Sequence, residues 1–363
     1  MTRVDTLLRQ MVEEFGVGAV IPASEMKQRE YRSSGSISLD LALGGGWSKG
    51  IVVDAVGKQS SGKTLLFDLA AIAAQQNEKR PSVLFDFEHV YDTPRFEMLG
   101  GDPKKLHIVR ADDFETELLF VEHCTMMLKV MLRTGEYACI GLDSTAAMVS
   151  KAEFEIMEKD EESTTVAYTA RAMSSLLRQV VGTGLLARSG TTLFIMSQMR
   201  DNFRARAIRG IPPPDQRTGG RALPHYASVQ VEVTRGETIK GNTPEEKQVE
   251  YGHETKVRVR KNKCNGRQGR VAMFEIYTEG EVRGLDRATE LVRLGALVGV
   301  IERKGKFYYF DNRQRRCDGF DKAVQCIRED ESLFQAVWDQ TVAKIDERQS
   351  VNALPAREID DEV

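Results

Sequence analysis

Gly57, Lys58, Gln59, Ser60, Ser61, Gly62, Lys63 and Thr64 follow one another in the pattern G-x-x-x-x-G-K-[ST]. These residue types at this spacing can hold a chain of phosphates. Glycines let successive backbone N–H groups curl around phosphate oxygens, and a helix opening at the end of the loop adds positive potential. Lys63 reaches the β- and γ-phosphates, and the Thr64 hydroxyl is a ligand for Mg2+. The ligand implied is a nucleoside triphosphate, ATP before others, together with Mg2+.

Three more polar residues stand where such a ligand needs them. Asp143 closes the apolar run 137–142, and an acid there can hold Mg2+ or its water. Glu88 follows the run 82–87. The C-terminal edge of a parallel sheet faces the ligand crevice, where a carboxylate can polarise the attacking water as general base. Asp86 competes for that role, although it alternates within the run. Gln198 follows the run 192–197. Its amide can touch a γ-phosphate and move when that phosphate leaves.

An α/β rhythm must bring these residues together. Residues 51–56 read as a buried strand, followed by the glycine loop and a helix over 64–76. Strands at 82–87, 137–142 and 192–197 alternate with helices at 115–132 and 169–187, which argues for a mostly parallel, helix-covered sheet. The pattern changes after residue 226. Residues 228–234, 255–261 and 270–277 read as strands with no helix between them. Val229, Val231 and Val233 alternate with polar residues, as an antiparallel extension with one exposed face requires. A short amphipathic helix is expected over 6–15 and a polar stretch over 24–34. A small mixed module is expected beyond 286, with a helix at 288–294 and a hairpin at 307–310. The acidic end at 358–362 has a disordered composition.

The composition sets outer bounds. A chain of 363 residues, 41% hydrophobic and 29% charged, can bury one large core and a smaller one. No apolar run reaches the ~18–20 residues needed to span a bilayer. The first residues carry acids within their apolar pattern, unlike a signal peptide. The five cysteines form no Cys-x-x-Cys pair, so reduced thiols, a cytoplasmic location and no structural metal are expected. A net charge of −3 leaves nucleic-acid binding to local basic patches.

In their order along the chain these features resemble the bacterial RecA recombinase family. The segments carrying the resemblance are SSGSISLDLALGGG, GKQSSGKT, LFDFEHVYD, GLDSTAAMVSKAEFE, FIMSQMR, TGGRALPHYASV and VRVRKNKC. The resemblance runs from about Leu7 to about Ile345. The resemblance implies a RecA-like P-loop ATPase core with an N-terminal oligomerisation helix and a small α/β C-terminal domain. The implied segments are 1–32 for docking on a neighbouring protomer, 33–278 for the core, 279–345 for gathering duplex DNA, and 346–363 as an acidic tail. It makes Glu88 the catalytic base and Gln198 the link between γ-phosphate and DNA. It adds Asp92, Arg95 and Ser144 to the nucleotide site. Lys261 and Lys263 match paired lysines that reach a neighbour's ATP across a filament interface. They flank Asn262, so both can point one way and neutralise transition-state charge as an arginine finger does.

The segment 199–220 resembles the family's second DNA loop. It carries Arg200, Arg204, Arg206, Arg209 and Arg217, with Gly219, Gly220 and Arg221 at its end. Arginines neutralise phosphates and release counterions, while Phe203 and Ile208 are wedges for exposed bases. The segment 153–168, in the place of the first DNA loop, departs from the pattern. It holds Glu153, Glu155, Glu158, Asp160, Glu161 and Glu162, and acids repel phosphates. Arg171 and Arg178, seven apart on the next helix, are the better candidates there. Arg303, Lys304, Lys306, Arg313, Arg315 and Arg316 cluster near Phe307, Tyr308 and Tyr309 in the last module. Further departures mark a divergent member: Lys58-Gln59 for the usual Pro-Glu, Arg95 near an adenine-stacking tyrosine, and Pro224-His225 for Lys-Phe.

The function implied is a DNA-dependent ATPase that forms helical filaments on single-stranded DNA and exchanges strands with a homologous duplex. Its partners would be single-stranded DNA, double-stranded DNA and further copies of the chain, with no membrane. A ring-shaped RecA-fold motor and an ATP-switched recombination regulator are the alternatives.

Overall fold

The computed structural model describes residues 3–16, 22–111, 119–157, 166–200, 216–217, 222–241, 249–279, 283–310 and 313–351. The chain divides into a small unit, Met1–Glu30, and a large one, Tyr31–Val363. The small unit holds helix α1 (Arg3–Phe15). Val4, Leu7 and Phe15 recur at helical spacing and stay exposed.

The large unit opens with β1 (Tyr31–Arg32), α2 (Ile37–Leu43) and β2 (Trp47–Ser48). Ser36 caps α2, its hydroxyl accepting from the Leu39 N–H, and Gly44 ends it in the left-handed region. Arg32 is buried beneath the sheet. Its guanidinium donates to Glu78 Oε1 at 2.9 Å, to Gly190 O at 3.0 Å and to Thr192 Oγ1 at 3.2 Å. Without Arg32, Gly190 O loses this donor, while Glu78 keeps Lys49 and Arg80, each at 3.5 Å. Arg32→Met is therefore expected to cost about 1–3 kcal/mol of stability, read as a lower urea midpoint with unchanged slope.

The elements of the core follow in chain order: β3 (Val52–Gly57), α3 (Lys63–Asn77), β4 (Ser82–Asp86), α4 (Thr93–Met98), β5 (Leu106–Val109), α5 (Val121–Thr134), β6 (Cys139–Asp143), α6 (Lys151–Met157), α7 (Val166–Val181), α8 (Leu185–Ser189), β7 (Thr192–Arg200), β8 (Gln216–Arg217), α9 (Ala222–Tyr226), β9 (Val229–Gly241), β10 (Val249–Asn262), β11 (Val271–Tyr277) and β12 (Gly284–Leu285). One sheet runs β12-β11-β10-β9-β3-β7-β6-β4-β5. From β9 to β5 every neighbour pair is parallel. From β9 to β12 every pair is antiparallel. Helix α3 covers one face, packing Leu66, Phe67 and Ala70 with Val53, Ala55 and Phe194. Helices α5 and α7 cover the other, packing Leu128, Leu176 and Val180 with Val52, Ile140 and Ile195.

The last module consists of α10 (Arg287–Val298), β13 (Glu302–Lys304), β14 (Phe307–Phe310), β15 (Arg315–Asp318), α11 (Phe320–Glu329) and α12 (Glu331–Val351). It closes around Leu291, Phe310, Ile327 and Val337. Glu290 joins it to the core, accepting from Ser36 Oγ at 2.5 Å, Ser38 Oγ at 2.7 Å and the Ser38 N–H at 2.9 Å.

Several expectations change. The helix expected over 169–187 is two helices, because Gly182 and Gly184 end α7 and Gly184 takes a left-handed φ of 72°. The helix expected from 115 begins at Val121, with residues 112–118 outside the described ones. The hairpin at 307–310 is the middle of a three-stranded sheet. Helix α12 runs to Val351, past the boundary expected at 346, while 352–363 lie outside the described residues.

Candidate active site

The loop joins the end of β3 to the start of α3. A Cβ at Gly57 would lie 2.3 Å from Ser61 Oγ and 2.5 Å from Val233 O, so only glycine fits. Gly62 turns the chain into α3 at a φ of 98°. That left-handed turn favours glycine and starts the helix with no side-chain cap. Ser61 Oγ is buried with no hydrogen-bond partner among the described residues, inside a loop whose amides open a helix of 15 residues. An orphaned buried hydroxyl in such a cradle suits an anionic oxygen.

Lys63 is buried, and its ammonium donates to Lys58 O at 2.7 Å and Gly57 O at 3.3 Å. Burial lowers its pKa from the ordinary lysine value, while Asp143 and Glu88 pull it back up. Thr64 Oγ1 donates to Asp143 Oδ2 at 2.5 Å. Burial raises the Asp143 pKa, the Thr64 bond lowers it and Glu88 raises it. A cation beside Asp143 would favour its charged form. The donor set of one carboxylate and one hydroxyl suits a hard ion such as Mg2+ that keeps waters and takes phosphate oxygens.

Glu88, half-buried beyond β4, accepts from Ser144 Oγ and from Gln198 Nε2, the latter at 2.9 Å. Gln198 Nε2 also reaches Ser144 Oγ at 3.4 Å. The ends of β4, β6 and β7 thus carry a base candidate and an amide in direct contact. Asp86 is spoken for otherwise. It is buried, and its Oδ2 accepts from Arg110 Nε at 3.0 Å and the Tyr91 N–H at 2.9 Å.

Arg95 has a partner on α3. Its guanidinium donates at 2.8 Å to Asp68 of α3, and the Tyr91 hydroxyl donates to the same carboxylate at 2.9 Å. Asp92 stands exposed just before α4. Burial pushes the Asp68 pKa up to about 6 against the pull of Arg95, and Asp40 rises to about 6 for the same first reason. A carboxyl whose folded pKa lies above its unfolded value near 4 favours folding when protonated. Stability is therefore expected to fall as pH rises from about 4 through about 6. Asp68→Asn should flatten part of that slope, leaving the share of Asp40, as read by urea melts at several pH values.

Lys261 and Lys263 lie at the end of β10. Lys261 Nζ donates to Pro224 O at 2.5 Å, and Lys263 Nζ to His225 O at 3.4 Å, both on α9. Asn262 turns the other way and donates to Leu43 O at 3.1 Å. A register shift between Val259 and Lys261 makes this possible. Val257 and Val259 face the core beside α3, and the extra residue re-aims Lys261 to the opposite face.

Arg171 and Arg178 are both exposed on α7, with the Arg171 guanidinium 5.7 Å from the Tyr168 ring centroid. The backbone at Arg200 pairs with Gln216, and Met199 with Arg217. Phe203, Arg204, Arg206, Ile208, Arg209, Gly219, Gly220 and Arg221 lie outside the described residues, as do Glu158, Asp160, Glu161 and Glu162. Glu153 corrects its place among the repelling acids. It is buried and accepts from the Thr169 hydroxyl, which in turn accepts from the Ser150 N–H at 3.0 Å.

Sequence reasoning missed Asp54, Asp68, Tyr91 and Arg110. An acid inside the apolar run of β3 was the available signal for Asp54. Asp68 stood in a helix rich in Leu and Ala, where an acid also stands out.

A parallel sheet bearing a glycine loop between β3 and α3, with acids at neighbouring strand ends and an antiparallel extension, defines a RecA-like α/β core. Residues 2–282 match the family described as the RecA N-terminal domain. The chain is 32% identical over 362 residues to Protein RecA of Nostoc sp., covering 98% of this chain and 93% of that one. It is 33% identical over 346 residues to Protein RecA of Synechocystis sp., covering 94% and 90%. It is 32% identical over 359 residues to Protein RecA of Thermosynechococcus vestitus, covering 98% and 93%. The chain belongs to the RecA family.

Proposed function

We propose that this chain is a DNA-dependent ATPase that assembles as a helical filament on single-stranded DNA and catalyses homologous pairing and strand exchange. The observation that carries the reading is a site split in two. Lys63, Thr64, Asp143, Glu88 and Gln198 gather at one sheet edge, while Lys261 and Lys263 rest on α9 carbonyls. The lysines would serve the nucleotide of the next protomer. The exposed apolar stripe of α1 suits docking on that neighbour.

In this reading Glu88 takes the proton of the attacking water and Gln198 holds that carboxylate until the γ-phosphate claims the amide. Lys63 and the loop amides bind and orient the phosphates. Mg2+, held by Thr64 and Asp143, would neutralise charge on the phosphate oxygens. Lys261 and Lys263 would stabilise the charge that develops during transfer. Homology is read by base pairing, so the protein need only hold backbone and unstacked bases.

Arg171, Arg178 and the arginines of 199–221 are proposed to contact single-stranded DNA. Arg204→Ala with Arg206→Ala is expected to weaken binding and reduce the salt slope by about 1 for each phosphate no longer neutralised. An unchanged slope would remove those arginines from the interface. In the last module the Arg316 guanidinium lies 4.8 Å and the Lys306 ammonium 5.4 Å from the Phe307 ring centroid, a cationic aromatic surface suited to duplex DNA. Glu302, Asp318 and Asp330 pair with Arg313, Lys306 and Arg315 there, which tempers its charge.

Strand exchange between a single strand and its homologous duplex, with ATP and Mg2+, tests the whole reading. Folded protein that gives no product would sink it. Closed rings rather than filaments in electron micrographs would favour the motor.

A further inference from the structure

Strand β3 carries one acid among its apolar residues: Asp54, 1% exposed. A buried carboxylate persists only when neighbours hold it. Ser197 Oγ of β7 donates to its Oδ1 at 2.8 Å, and Gln230 Nε2 of β9 donates to its Oδ2 at 2.6 Å. The sheet register extends this row. Asp54 stands opposite Gln230 across β3 and β9, and Gln230 stands opposite Lys261 across β9 and β10. Directly opposed residues share a face. Ser197 stands opposite Val56, two residues along from Asp54, and reaches it through its hydroxyl, so Ser197, Asp54, Gln230 and Lys261 form one polar line across four strands.

Both ends of the line touch the proposed chemistry. Ser197 directly precedes Gln198, whose amide bonds Glu88. At the other end, burial lowers the Lys261 pKa and Lys263 lowers it further, while the Asp54 charge pulls the other way. The bulge before Lys261 places its side chain on this face; unbroken alternation would put it with Val257 and Val259.

We propose that Asp54 is a positioning residue for Lys261, acting through Gln230, and that it aligns the lysine for its work on the neighbouring protomer's nucleotide. The proposal rests on the reading of Lys261 given above. Asp54 fixes the Gln230 side chain, which stands in register with Lys261 on the same face. Ser197 anchors the other carboxylate oxygen to the strand that carries Gln198.

The test uses the full chain with Asp54→Asn, Gln230→Met and Lys261→Ala, and each of the first two combined with Lys261→Ala. ATP turnover saturated with single-stranded DNA, the KM for ATP, binding of a fluorescent ATP analogue without DNA, and melting temperature are measured. Asp54→Asn is expected to lower kcat about ten- to a hundredfold with KM and analogue binding unchanged. The double variants should be no slower than Lys261→Ala alone, as residues acting as a unit are not additive. Multiplicative losses, or a kcat that falls only in step with analogue binding and melting temperature, would overturn the role of Asp54 alone. If Lys261→Ala leaves DNA-stimulated turnover intact, both this proposal and the reading beneath it fall. Gln230→Met keeps the test decisive should Asp54→Asn not fold, because it cuts the line while leaving the carboxylate and Ser197 in place.

Discussion

Replacing Lys63 by alanine is expected to lower ATP turnover by about 10²–10³-fold while leaving the fold intact. The side chain donates only to carbonyls of its own loop, Lys58 O and Gly57 O, so the sheet loses no support. What goes is a buried ammonium beside the loop. Its pKa is lowered first by burial, so the cation is poorly solvated and its pairing with an anionic oxygen is worth more than it would be in water. Phosphate release with saturating single-stranded DNA, set beside a thermal melt, measures both halves of this. Turnover within a fewfold of the parent would remove Lys63 from the chemistry.

Lys261→Ala with Lys263→Ala is expected to have a different signature. DNA-stimulated turnover should fall by about 10³-fold or more, the scale of losing a charge supplied in trans. Nucleotide binding by DNA-free protein should stay unchanged, because the groups that gather at the phosphate loop are Lys63, Thr64 and Asp143. Mixing this variant with the Lys63→Ala variant sharpens the test. If the site is shared between protomers, each defective chain supplies what the other lacks, and some turnover returns in the mixture. No recovery would argue for a site complete within one chain.

Much of the core was legible because β4, β6 and β7 are short, largely apolar runs ending in polar residues, and β3 is such a run broken by Asp54 and ending in the glycine loop. A parallel sheet buried on both faces forces that pattern, and ligands gather where such strands end. That logic led to Asp143, Glu88 and Gln198. Strand β5, Leu-His-Ile-Val, was too short and mixed to stand out. The outer halves of β9 and β10 were also missed. Residues 234–241 are mostly exposed and polar, so backbone pairing alone defines them. Partner choice was less legible still. Arg95 pairs with a buried acid on α3, 27 positions away, which its own sequence neighbourhood does not announce. Glu153 looked like its acidic neighbours until the Thr169 hydroxyl was seen to hold it. The bulge in β10 hid the true parity of Lys261, since alternation read from Val257 and Val259 puts it on the wrong face.

The two α9 carbonyls that hold Lys261 and Lys263 set a threshold on whatever these amines do elsewhere. An amine released from a carbonyl gives up a charge-assisted bond of about 1.5–3 kcal/mol. Only an acceptor stronger than a peptide oxygen, such as the oxygens of a polyphosphate, makes that exchange favourable. A neutral carbonyl or hydroxyl would leave the lysines where they are. If the chain assembles as proposed, idle copies meeting without nucleotide would find this surface already satisfied, which would guard against assembly at the wrong moment.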